Sequence, residues 1–77
     1  MSYLGINNKQ YLSKNEKFGE ILTFLDKSKW QINPIDKIKT ALWLPSDEIM
    51  VSQKGTQYFL THIKKNETVG AKYLPKK

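Results

Sequence analysis

Seventy-seven residues carrying thirteen lysines, no arginine and seven carboxylates have a formal net charge of +6, and this length allows one small domain. With no cysteine, disulfides, thiolate chemistry and cysteine-ligated zinc are excluded. A chain this short buries only roughly 60% of its unfolded surface, so homodimerisation would add useful burial, and the excess positive charge favours polyanionic partners.

The first twelve residues hold isolated apolar side chains among Asn7, Asn8, Lys9 and Gln10, which fits neither a signal peptide nor a membrane span. A soluble intracellular, cytoplasmic protein is expected, with no membrane partner. A short strand around Tyr3 to Ile6 is a further option. The domain is expected to span 1–77, with 1–12 and the tail 74–77 at its periphery.

Ser13 followed three residues later by Glu16 has the form of a capping box, and Phe18, Ile21, Leu22 and Leu25 follow at helical spacing. These features predict an amphipathic helix over 14–28. Asn33-Pro34 breaks the chain into a loop or extended link. Beyond it Ile38, Thr40, Leu42 and Leu44 alternate with Lys39, Ala41 and Trp43, the period of a strand over 37–44 whose aliphatic face is buried.

Pro45-Ser46-Asp47 makes a bend, and strands are expected over 48–53 and 56–64. A two-residue loop at Lys54-Gly55 would pair Val51 with Tyr58 and Ile49 with Leu60. After a turn at Asn66-Glu67, a last strand spans 68–73. The expected class is therefore α+β, one helix packed on a three- or four-stranded antiparallel meander. The alternative is a small curved barrel with one helix, because both hairpin faces carry apolar residues.

Chemistry has little to work with. His62 is the single histidine and reads as a rim-of-core residue on the same face as Tyr58 and Leu60. No metal-ligand spacing and no glycine-rich phosphate loop are present, so no enzyme, no metal and no cofactor are expected. The stronger pattern is basic and aromatic. With the aliphatic face of 37–44 inward, Trp43 stands outward beside Lys37 and Lys39, Phe59 and Met50 extend the surface framed by Lys54, Lys64 and Lys65, and Tyr58 is a further stacking candidate. Lysines for phosphates and rings for bases describe sequence-tolerant binding of single-stranded nucleic acid. The missing arginine agrees, since lysine lacks the planar fork that reads base edges.

The same residues also describe a docking surface for an acidic protein partner. A composition rich in Lys, Asn, Ile and Tyr further suits AT-rich coding, as in low-GC bacteria, phages or mobile elements. The alternative function is accordingly a small accessory protein of such an element that inhibits or adapts a host protein.

Overall fold

The computed structural model describes residues 9–74. Six strands, β1 (Lys9–Glu16), β2 (Ile21–Phe24), β3 (Lys29–Ile32), β4 (Glu48–Lys54), β5 (Gln57–His62) and β6 (Glu67–Leu74), close into an antiparallel barrel of order β1-β2-β3-β6-β5-β4. The chain is thus two three-stranded meanders joined by one crossover, 33–47. It contains a 3₁₀ turn at Pro34–Asp36 running into a single helical turn, α1 (Lys37–Thr40). Among the described residues no helix is long and apolar enough to cross a membrane.

This overturns the expected helix on an open meander. The chain forms a barrel, closed and six-stranded, with its helical turn in the crossover. The predicted helix over 14–28 is instead the end of β1, a tight turn, β2 and a second turn. Lys17, Phe18 and Gly19 take φ of 55, 57 and 91°, which no right-handed helix accommodates. Burial there follows no helical stripe: Leu22, Thr23 and Phe24 are buried in succession while Phe18 and Leu25 are exposed. Ser13, the predicted cap, sits where the β1–β2 register slips between Leu12 and Lys14. Such a bulge lets a strand bend, and β1 uses it to pair with β4 through Lys9–Tyr11 and with β2 from Leu12 onward. Lys9–Leu12, expected at the periphery, thereby belongs to the barrel, and Leu12 lies in its core. The suggested strand at Tyr3 to Ile6 falls outside the described residues, as does the tail beyond Leu74.

The predicted strand over 37–44 is likewise absent. Pro34 has its φ preset and no amide to donate, which suits the first position of a helical turn rather than the end of one. The apparent alternation does not hold: of the four residues expected inward only Thr40 is buried, and Trp43, expected outward, is buried with it. Ile38, Leu42 and Leu44 are exposed.

The strands near 48–53, 56–64 and 68–73 are present as β4, β5 and β6, with a changed hairpin register. The loop is Gly55-Thr56, so Val51 faces Leu60 and Ile49 faces His62. Gly55 at the first loop position, φ 63°, supplies the positive φ that primed two-residue turns require there. The shift is two residues per partner, and it leaves the inward set unchanged.

A six-stranded barrel has room for side chains only. Leu22, Phe24, Trp30, Ile32, Val51, Leu60 and Val69 fill it, with Trp43 entering from the crossover. Trp30 is central, packing at 5.2 Å against Tyr58 and 5.1 Å against Tyr73. Its indole N–H donates to Ser28 Oγ at 3.0 Å, and Ser28 in turn donates to Asp26 Oδ1 from both its hydroxyl and its amide. The β2–β3 turn therefore satisfies the one polar atom of the ring.

Gly19 carries the closest approach between turn and crossover. A Cβ there would stand 2.5 Å from both Ala41 N and Thr40 Oγ1, on a backbone with φ +91°. Gly55 has nothing within 4 Å. Gly19→Ala should destabilise the fold by about 1–3 kcal/mol from backbone strain alone, with displacement of Thr40 added. Gly55→Ala should cost only the backbone strain, and urea denaturation of the two variants should separate them in that order.

Candidate functional site

Antiparallel closure sends three connections to one end of the barrel: the β1–β2 turn, the crossover and the β5–β6 turn. They are tied to one another there. Thr40 Oγ1 donates to Gly19 O at 2.7 Å, and Asn15 Nδ2 donates to the carbonyls of Thr40 at 2.7 Å and Trp43 at 2.9 Å. At the crossover's start, Asn33 N donates to Gly70 O, and Gly70 N donates to Asp36 Oδ2, each at 3.0 Å. Lys65 Nζ reaches Leu42 O at 3.2 Å from the β5–β6 turn. We refer to this end as the crown.

The crown's polar groups converge beneath Trp43. The indole Nε1 donates to Glu67 Oε1 at 3.0 Å, and the ring meets His62 edge-on at 5.3 Å. The backbone N–H of Lys65 points at His62 Nδ1 over 3.2 Å, so that nitrogen is the acceptor and Nε2 carries the proton. Nε2 then donates to Asp47 Oδ2 at 2.7 Å, which also accepts the Leu44 amide at 2.8 Å. Burial alone would raise the Asp47 carboxyl. The Leu44 amide, the His62 hydrogen bond and the charge of Lys65 outweigh it and hold the group below its ordinary value. His62 is itself buried, and its visible task is to clasp Asp47 and the Lys65 turn together.

With its polar side fastened down, the crossover turns its apolar side outward. Ile35, Ile38 and Leu42 are spaced to share one stripe of the helical turns, and they are 86, 81 and 68% exposed. Thr40, on the opposite side of the helix, is fully buried. A surface helix ordinarily turns its apolar stripe toward the core, so this orientation is reversed. Phe18, 89% exposed, and Leu44 extend the patch, and between them lies a shallow groove of about 470 Å³ floored by Trp43 and edged by Asn15, Ala41 and Pro45.

Charge around the patch is sorted. Six carboxylates, Glu16, Glu20, Asp36, Asp47, Glu48 and Glu67, belong to this end of the barrel. Five of them are engaged within the molecule: Glu20 by Lys37 at 3.1 Å, Glu48 by Lys9 at 3.5 Å, and Asp36, Asp47 and Glu67 by the bonds above. Lys17, Lys39 and Lys64 are exposed at this end against one exposed carboxylate, Glu16, and give it a net positive character.

The residues expected to bind nucleic acid do not form one surface. Lys37, Lys39, Lys64 and Lys65 gather at the crown, Lys37 in an ion pair and Lys65 on a backbone carbonyl. Trp43, expected as an exposed platform, is 1% exposed, and Tyr58 is buried against Trp30. Lys54 lies at the far end of β4, and Phe59 is half-buried on the outer face of β5. The apolar stripe escaped sequence reasoning because a helical turn and a strand both place Ile38 and Leu42 on a shared face. Pro34 was the available signal, since proline favours the start of a helical turn. The sequence matches no family model and no curated protein, and no solved structure matches the fold.

Because the folded Asp47 titrates below its unfolded value, its ionised form stabilises the fold. That stabilisation is present above the ordinary carboxylate range, about pH 4, and is lost as pH falls through the lower folded value. Asp47→Asn should lower the Tm at pH 7 and show a shallower further decline than the unsubstituted protein between about pH 4 and 2. Parallel declines would mean that the Asp47–His62 clasp carries no part of the acid sensitivity.

Proposed function

We propose that this chain is a non-catalytic protein-binding module, a small inhibitor or adaptor, which docks a partner through the apolar crown. What carries the reading is the outward stripe of Ile35, Ile38 and Leu42 on a helical turn whose polar side is fastened to the barrel. Large exposed aliphatic side chains held on a rigid element lose little conformational freedom on binding, and a contiguous apolar patch with a charged rim is the usual form of a docking surface. The rim of Lys17, Lys39 and Lys64 selects a partner whose own apolar site is bordered by carboxylates. It also opposes pairing of two crowns, because like charges would meet. Burial of Trp43 withdraws the ring on which nucleic-acid binding at this end depended.

Capture from a nuclease-treated lysate of the expressing cell tests the proposal when three forms are compared. The unsubstituted protein and Leu25→Ser, an equally exposed leucine at the opposite end, should retain the same defined protein. The double variant Ile38→Ser/Leu42→Ser should lose it with an unchanged circular dichroism spectrum. Retention by the double variant, or loss of every bound protein on nuclease treatment, contradicts docking through the crown.

A further inference from the structure

A second surface lies outside the crown, on the outer face of β4, β5, β6 and β3. Inward residues on these strands are Val51, Tyr58, Leu60, Ala71 and Trp30, so the alternate positions point outward. Toward the far end those outward positions include Lys54, Gln57, Lys72, Gln31 and Lys29, all exposed. Lys54 is opposite Gln57, and the β5–β6 register places Lys72 next to Gln57 on the other side. Gln31 faces Lys72, with Lys29 two residues along the same strand. Strands are spaced about 4.8 Å apart, so Lys54, Lys72 and Lys29 form a band across four strands, about 14 Å wide.

Among the described residues no carboxylate occupies an outward position of this band. Glu48, at the crown end of β4, is already paired with Lys9. The seventh carboxylate of the chain, Asp26, is in the β2–β3 turn, where its Oδ1 is held by Ser28.

Above the band stands Phe59, half-buried and outward, between Ser52 on β4 and Gly70 on β6. Its cross-strand neighbour on β4 is the small Ser52, which leaves that flank of the ring open, while on the β6 side the Asn33 side chain lies over Gly70. Gly70 is kept without a Cβ by the approach of the Asn33 side chain.

We infer that this face is a contact surface for single-stranded nucleic acid, in which Lys29, Lys54 and Lys72 meet backbone phosphates and a base stacks on Phe59. Three observations support it together: a lysine band with no carboxylate among its described outward residues, an outward aromatic ring open on its Ser52 side, and a position on rigid strands away from the crown. Lysine as the sole cation gives contact by charge without base-edge reading, and the ring accepts any base. The inference is independent of docking through the crown, and the two surfaces can be disabled separately.

Fluorescence anisotropy with a labelled oligothymidine of roughly 15 nucleotides tests it, starting at low salt. The protein should bind, and log affinity should fall with log salt by roughly 0.7 per phosphate neutralised. Phe59→Ala should weaken binding roughly tenfold while Phe59→Tyr preserves it. Lys54→Ala/Lys72→Ala should reduce the salt slope by about 1.4, and Ile38→Ser/Leu42→Ser should leave affinity unchanged.

Absence of binding at low salt would overturn the inference. So would binding that depends on the lysines while both Phe59 variants match the unsubstituted protein, since that leaves charge without a stacking site. Equal competition by vesicles rich in phosphatidylglycerol would assign the band to lipid headgroups instead.

Discussion

Insertion of Trp43 into the crown end of the barrel is the constraint from which the rest of that end follows. Between Asn33 and Asp47 only Thr40 and Trp43 are buried, so fifteen residues of crossover are held by two side chains and the hydrogen bonds around them. The tryptophan is much the larger. Truncating a buried tryptophan typically costs about 3–5 kcal/mol, a large share of the 5–15 kcal/mol that stabilises an ordinary domain. Its indole N–H holds Glu67, its edge covers His62, and His62 joins Asp47 to the Lys65 turn. Asn15 fixes the carbonyls of Thr40 and Trp43 from β1, so the crossover is pinned from both meanders.

That pinning decides which way the helical turn faces. With Thr40 donating to Gly19 O and Trp43 pointing into the barrel, the opposite side of the turn has no element to cover it. Ile35, Ile38 and Leu42 are therefore presented to solvent by the same contacts that stabilise the fold. The charge of the chain is arranged by the same geometry. Carboxylates collect at the crown and are largely engaged there with amides, an indole, a histidine and two lysines, which leaves other lysines outward at the crown rim and along the far outer face of the sheet. A formal charge of +6 thus resolves into two separate positive surfaces, one around an apolar patch and one around a phenylalanine.

The second meander was legible in the sequence because its strands alternate cleanly. Ile49, Val51, Tyr58, Leu60 and His62 occupy inward positions, and Gly55 marks the hairpin. His62 at the rim of the core was legible for the same reason. The first meander was not. Its strands β2 and β3 are four residues long, and an apolar run that short fits a helical stripe as readily as a strand. Local signals at Ser13 and Glu16 favoured a helix, whereas pairing across the barrel, which sequence spacing does not display, imposed a bulge and a left-handed turn.

The candidate site failed to appear for a related reason. A period of two was read where the chain makes helical turns, so Ile38, Leu42 and Leu44 were expected inward and Trp43 outward, and all four are reversed, while Thr40 is buried as expected. Four of the lysines expected at one surface do meet at the crown. Lys54 and Phe59 were correctly separated from the core but belong to a different face, because the hairpin that carries them runs to the other end of the barrel.

Hydrogen exchange of the two indole N–H groups, followed by nuclear magnetic resonance, tests the role given to Trp43 most directly. Trp30 and Trp43 are both buried, with Nε1 donating to Ser28 and Glu67. Both indole protons should be strongly protected, and Glu67→Ala should speed exchange at Trp43 while leaving Trp30 slow. A Trp43 indole that exchanges at the rate of free tryptophan in the otherwise folded protein would contradict the account, because the crossover would then not be anchored through that ring.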